Sequence, residues 1–313
     1  MNALLFPGQG SQLVGMGSEL FTKFELVKKI FKKADEKLNF PISKLILEGP
    51  EKDLQLTKNT QPAILTVSYS IFKVIKEEFD FDFKNFKFFA GHSLGEYSAL
   101  VCAEALKFED ALYLLRERGK AMQESVPVGK GKMIATLGSS IDEIIKLINL
   151  SIKEGKICEI ANDNSDGQLI ISGDTESVDS FIKFLKEKKI KFIPLKVSAP
   201  FHCSLMEPAA EIMKDKIYNT NFTNPIFKIV NNVTANPEID VEKIKDLLIK
   251  QIYTTVRWRE SIITMHELGV KNFVEIGPGK VLSGMVKRTI KDARSFPINT
   301  IADIKNLENE FKK

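Results

Sequence analysis

Phe86-Lys87-Phe88-Phe89-Ala90-Gly91-His92-Ser93-Leu94-Gly95 decides how this chain folds. Residues 86–90, apolar apart from Lys87, read as a buried strand, and the pattern after Gly95 is helical through Leu106. Glycine two residues either side of a serine suits a backbone that turns too tightly for larger side chains. A strand, a sharp turn and a helix in that order form a nucleophile elbow, with the Ser93 hydroxyl beside a helix N-terminus. A purely structural turn is the competing reading, and the flanking strand and helix favour the nucleophile.

Working outward, residues 2–6 read as a second short buried strand, ended by Pro7-Gly8-Gln9-Gly10. Phe24, Val27, Phe31, Ala34 and Leu38 recur at helical spacing, and another helix is expected to start at Thr60-Gln61-Pro62 with Thr60 as N-cap. From Lys132 the order becomes strand 133–137, helix 141–153, strand 157–161, strand 168–172, helix 177–188 and strand 190–197. That βαββαβ order is a ferredoxin-like pattern, so a small inserted domain is placed at 130–198. Residues 1–129 and 199–313 then form one larger α/β domain with a mostly parallel sheet, completed by a strand at 227–230, helices at 241–252 and 260–268 and a strand at 272–276.

Composition excludes several classes. With 313 residues, 43% of them hydrophobic, the chain has enough apolar content for a large core, so disorder is excluded. No stretch approaches the roughly 18 uncharged residues of a membrane span, and the first residues lack a basic segment before an apolar one; a soluble, cytoplasmic protein is expected. Cys102, Cys158 and Cys203 show no metal-ligand spacing, and no metal site is expected. The net charge of +4 comes from scattered lysines, which gives nucleic acid no stripe to follow. Gly8-Gln9-Gly10-Ser11-Gln12 lacks the third glycine of a dinucleotide fingerprint, and Gly277-Pro278-Gly279-Lys280 lacks the length of a phosphate loop, so no nucleotide cofactor is implied. No helix shows a surplus apolar face, which points to a monomer.

A serine hydroxyl needs a base, and histidine has the pKa for that work near neutrality. Of the three histidines, His92 sits on the elbow and points away, and His266 lies on the helix expected at 260–268. His202, in the proline-interrupted loop Ser198-Ala199-Pro200-Phe201-His202-Cys203, is the remaining base, with a packed loop histidine and a reactive Cys203 as competing readings. Asp163, Asp166 and Asp174 stand between Ser93 and His202 in chain order but in surface-type contexts, so a backbone or amide carbonyl is left to orient the imidazole. Arg118 falls on the apolar stripe of Phe108, Ala111, Leu115 and Met122, and an inward guanidinium requires an anion. Glu96 and a carboxylate carried by the substrate are equally compatible with that spacing.

Phe6-Pro7-Gly8-Gln9-Gly10-Ser11-Gln12, Thr60-Gln61-Pro62-Ala63, Gly91-His92-Ser93-Leu94-Gly95-Glu96-Tyr97, Arg118-Gly119 with Met122-Gln123, Pro200-Phe201-His202 and Glu275-Ile276-Gly277-Pro278-Gly279-Lys280-Val281-Leu282 occur in that order. Together they resemble the malonyl-CoA:acyl carrier protein transacylase family of bacterial fatty acid synthesis. The resemblance implies a larger domain that is hydrolase-like around the elbow, Ser93 as acylated nucleophile, and His202 as base held by the Gln251 main-chain carbonyl. It implies the N–H groups of Gln9 and Leu94 as oxyanion hole, and Arg118 as receptor of the malonyl carboxylate, with Gln61, Met122 and Phe201 around the substrate. The reaction implied is ping-pong transfer from malonyl-CoA to the phosphopantetheine thiol of holo acyl carrier protein, with no cofactor, and with Phe201 disfavouring methylmalonyl-CoA. Lys287 and Arg288 are the candidate patch for an acidic carrier. The alternatives are a serine esterase or thioesterase, which would need an acidic triad member and has no use for an inward Arg118, a carrier-binding module without chemistry, and an acyltransferase of polyketide assembly.

Overall fold

The computed structural model describes residues 1–152, 154–195, 197 and 199–311. The expected helix end at Lys153, Lys196 in the expected strand 190–197, Ser198 at the expected domain boundary and the last two residues lie outside the described residues. The strands are β1 (Asn2–Phe6), β2 (Phe86–Gly91), β3 (Gly131–Leu137), β4 (Cys158–Ser165), β5 (Gln168–Asp174), β6 (Lys191–Pro194), β7 (Lys228–Val230), β8 (Pro237–Glu238), β9 (Asn272–Ile276) and β10 (Arg294–Ile298).

One sheet has the order β10-β9-β1-β2-β7-β8 and is parallel except for β8. Its central strand β1 is buried at every residue, as a parallel strand covered on both faces must be. The elbow stands at the end of β2, where β1 and β2 run side by side as far as Phe6 and Gly91. There the main chain is so crowded that a Cβ on Gly91 would lie 1.9 Å from the Gly95 carbonyl, and one on Gly95 would lie 2.2 Å from the Phe6 oxygen. The following helix, Gly95–Cys102, stops four residues short of the expected Leu106.

The helix Thr57–Glu77 begins three residues before the expected cap, so Thr60 is an interior residue whose hydroxyl donates to the Leu54 carbonyl at 2.5 Å. Pro62 therefore sits inside the helix and cannot donate to the Lys58 carbonyl four residues back. Arg116 Nη1 donates to that carbonyl instead, at 3.0 Å, from the neighbouring helix Phe108–Glu124. The two helices meet closely at Gly119, where a Cβ would lie 2.6 Å from Lys58 Cα. That approach brings Arg118 level with Gln61.

The second sheet, β4-β5-β3-β6, is antiparallel throughout. Side chains alternate across it: Ile134 and Ile171 pack under the helices Ile141–Ser151 and Thr175–Glu187, whereas Met133, Ala135 and Ile170 join the main core. The end of β4 is fastened to the larger sheet's side of the molecule. Val256 N–H donates to the Ala161 carbonyl at 2.8 Å, and Asp163 N–H donates to the Val256 carbonyl at 3.0 Å. Asp163, expected at the surface, is 1% exposed, and both its carboxylate oxygens take Arg259 Nε at 3.0 Å. Burial raises its pKa, which Arg259 opposes. Among the described residues no helix is long and apolar enough to cross a membrane.

Candidate active site

A cleft of about 260 Å³ opens between the two sheets, and Ser93 and His202 face each other across its floor. Both have left-handed backbones, with φ 52° and 57°, a conformation that non-glycine residues adopt only where the surroundings over-determine it. Around Ser93 the bracing is complete: its N–H donates to Asn232 Oδ1 at 2.7 Å, and its carbonyl accepts from Gln251 Nε2 at 3.1 Å. Asn232 Nδ2 also donates to the Gly91 carbonyl at 2.8 Å, so one amide spans the turn.

Ser93 Oγ lies 2.8 Å from His202 Nε2, and His202 Nδ1 lies 2.8 Å from the main-chain oxygen of Gln251. A carbonyl only accepts, so Nδ1 carries the proton, Nε2 is bare, and the serine hydroxyl donates to it. Burial, and secondly the charge of Arg118, push the imidazole pKa down to about 3. His202 is therefore a neutral proton acceptor throughout the physiological range. None of Asp163, Asp166 and Asp174 orients it: the first two lie near Arg259, and Asp174 caps the helix Thr175–Glu187.

Arg118 is 1% exposed, yet among the described residues it is in no ion pair. Its Nη1 donates to Gln61 Oε1 at 2.9 Å, while Nη2 donates to Gln251 Oε1 at 2.8 Å and to Ser93 Oγ at 3.1 Å. The Nε–H has no acceptor among the described residues. Glu96 is not its partner, because the Gln251 amide stands between them and donates from Nε2 to Glu96 Oε2 at 2.7 Å. A buried guanidinium with a spare donor and no carboxylate is a site for an incoming anion.

Gln9, Leu94, Gln61, Met122 and Phe201 all line the cleft. Leu94 stands at the first turn of Gly95–Cys102, and the Gly8 loop lies against the elbow so closely that a Cβ on Gly8 would be 2.6 Å from the His92 carbonyl oxygen. His92 turns away from the serine towards Asn164 Oδ1, 2.8 Å from its Nε2. His266 binds the Val270 carbonyl and Asp292, away from the cleft. The Cys203 thiol is buried, and burial pushes its pKa up to about 11, which removes it as a nucleophile. Lys287 and Arg288 are exposed at the end of the helix Val281–Thr289, and Arg288 is committed to Ser165 Oγ at 3.1 Å and Gln168 Oε1 at 3.2 Å. Glu275 fixes the start of that helix by accepting from the N–H groups of Leu282 and Ser283.

Asn232, Asn164 and the side chain of Gln251 were not legible as site residues. Asn232 follows a three-residue strand with no motif around it, and its contacts reach back 139 residues to Ser93.

The acyl transferase domain family matches residues 3–312. The malonyl CoA-acyl carrier protein transacylase of Bacillus subtilis is 43% identical over 299 residues, spanning 95% of this chain and 93% of its own length. That of Haemophilus influenzae is 41% identical over 307 residues, spanning 98% and 97%. The acyl-carrier-protein-S-malonyltransferase structure from Bartonella henselae superposes with a TM-score of 0.96 at 40% identity, covering 100% of this chain and 99% of that one. A malonyl-transacylase solved in complex with its type II PKS acyl-carrier protein gives a TM-score of 0.94 at 39% identity, covering 98% and 99%.

Proposed function

The chain belongs to the acyl transferase domain family, and from that premise we infer that it transfers a malonyl group from malonyl-CoA to the phosphopantetheine thiol of an acyl carrier protein, supplying fatty acid synthesis. Its relatives' names give the substrate and acceptor. The observation that carries the reading to this chain is Arg118, a buried cation without a carboxylate, 3.1 Å from the hydroxyl that would be acylated.

In this reading Ser93 Oγ attacks the thioester carbonyl as His202 Nε2 takes its proton. The charge on the carbonyl oxygen falls to the N–H groups of Gln9 and Leu94. The C–S bond breaks, coenzyme A leaves with the proton returned by His202, and malonyl-Ser93 remains. The carrier thiol then gives its proton to His202, attacks the ester and restores the serine. The malonyl carboxylate neutralises Arg118, and since Arg118's charge is one cause of the depressed imidazole pKa, docking of the right acyl group strengthens the base. An acetyl group leaves the guanidinium buried and unpaired. Gln61 holds the other Arg118 nitrogen, and Met122 and Phe201 bound the space around the acyl group. The ring of Phe201 supports poor use of methylmalonyl-CoA.

The larger sheet with its elbow supports a hydrolase-like reading of 1–129 and 199–313, and the order β4-β5-β3-β6 supports a ferredoxin-like reading of 130–198. Lys287 remains the candidate contact for an acidic carrier, with Arg288 beside it. The test is intact-protein mass spectrometry after brief mixing with malonyl-CoA. A malonyl adduct on wild type, absent in Ser93→Ala and discharged by holo carrier, is expected; an adduct lost to water regardless of carrier would make the protein a hydrolase.

A further inference from the structure

One carboxylate holds this site together. Glu96 Oε2 accepts from Asn232 N–H at 3.1 Å and from Gln251 Nε2 at 2.7 Å. Those two residues hold the N–H and the carbonyl of Ser93, and Gln251 Oε1 receives Arg118. Glu96 is 1% exposed, and its other oxygen has no hydrogen-bond partner among the described residues. It is the Gln251 amide, donating on one side and accepting on the other, that relays the charge of Glu96 to Arg118.

We propose that Glu96 is a specificity-determining positioning residue, an internal counter-charge for Arg118 that takes up a proton from solvent when the malonyl carboxylate docks. The proposal rests on the malonyl-transfer reading of the site. Before binding, Arg118 acts on Glu96 through one intervening amide; the substrate carboxylate then takes over the guanidinium and leaves a second buried negative charge uncompensated. Protonating Glu96 removes that repulsion, so each malonyl group that binds a molecule with Glu96 ionised draws one proton from solvent. The unpartnered oxygen has room in the hydrogen-bond inventory for that proton without displacing either donor on Oε2. The charged group acting on Glu96 from the packed elements is Arg118, from the helix Phe108–Glu124; Asn232 and Gln251 are neutral, and the nearby His202 stays uncharged. Burial raises the Glu96 pKa to about 7 before substrate arrives, so the proton is exchangeable near neutrality.

The sign follows. Glu96 ionises as pH rises through about 7, and the ionised form competes with malonyl for Arg118, so affinity for malonyl-CoA declines on the alkaline side. The experiment measures the acylation KM for malonyl-CoA and acetyl-CoA from about pH 6 to about pH 8.5 in wild type and Glu96→Gln. A several-fold rise in the malonyl KM of wild type is expected, with a flat profile for acetyl-CoA and for the variant with malonyl-CoA. An unchanged pH profile in Glu96→Gln, or a flat one in wild type, would overturn the proposal. Should the variant not fold, calorimetric titration of wild type with malonyl-CoA in two buffers of different ionisation enthalpy reads proton uptake directly, and zero uptake near neutral pH overturns it. Formation of malonyl-Ser93 without pH dependence defeats this proposal and leaves the transfer reading standing; no adduct at any pH defeats both.

Discussion

Two arginines, Arg118 lining the cleft and Arg259 on the helix Trp258–Glu267, differ in what waits for them. Arg259 meets Asp163 through two nitrogens, at 2.9 Å and 3.0 Å, and so fastens β4 to the helix Trp258–Glu267. Arg118, more deeply buried, lies over the Tyr97 ring and, among the described residues, donates to two amides and a hydroxyl but to no carboxylate. The protein supplies a permanent anion at Arg259; in the proposed reading it withholds one at Arg118 because the malonyl carboxylate arrives there. Breaking a paired buried charge damages the fold, whereas removing an unpaired one damages function and spares the fold. The contrast also explains why Glu96 is held one amide away from Arg118: direct contact would make a second mount and close the site to substrate.

The largest effect should come from Arg118→Ala, which lowers kcat/KM for malonyl-CoA by about 10³-fold, the scale for losing a desolvated charge contact. Acetyl transfer should fall far less, and thermal unfolding should show no loss of stability. A large drop in melting temperature would make the two arginines alike. Arg259→Ala should do the converse, destabilising by roughly 3 kcal/mol because Asp163 is left buried and charged, with malonyl KM changed little well below the melting point. Since the Arg259 side chain is 22% exposed, water softens that penalty below the upper range for buried pairs. Gln61→Leu is the mildest probe. It frees one Arg118 donor without removing the charge, and a malonyl KM raised by about tenfold is expected from the loss of one charged hydrogen bond. Equal loss on acetyl-CoA would show that Gln61 shapes the cleft rather than aiming Arg118.

Acid stability separates the two regions again. Below its ordinary range His202 resists protonation in the folded state, since burial and Arg118 hold its pKa near about 3. The unfolded chain binds that proton near the ordinary value of about 6.5. Stability from this group is therefore present above the unfolded value and declines as pH falls below it. Arg118→Ala should lessen the decline without abolishing it, because burial is the larger cause; urea melts at successive pH values measure it.

The elbow was readable because its demands are local. Gly91 and Gly95 meet main-chain atoms within a few residues or on the adjacent strand, and no other side chain fits. His202 was readable by the chemistry of three candidates. Thr60 was misplaced because a threonine before a proline imitates a helix start, and only the packed helix shows Arg116 serving the carbonyl that Pro62 leaves free. Asp163 looked like a surface residue among Asn, Ser and Gly, since nothing local announces Arg259, 96 residues later.

By itself the sequence determined the turn that carries Ser93, which of the three histidines meets it, the inward Arg118 and the α/β alternation, because backbone sterics, residue chemistry and hydrophobic periodicity act over a few residues. Only the tertiary structure decided which anion Arg118 lacks, that Glu96 reaches it through Gln251, and that Asn232 braces Ser93 from 139 residues away. Those are contacts between side chains distant in the chain, and their meaning depends on burial, which turns an ordinary glutamate into a carboxyl poised at about 7.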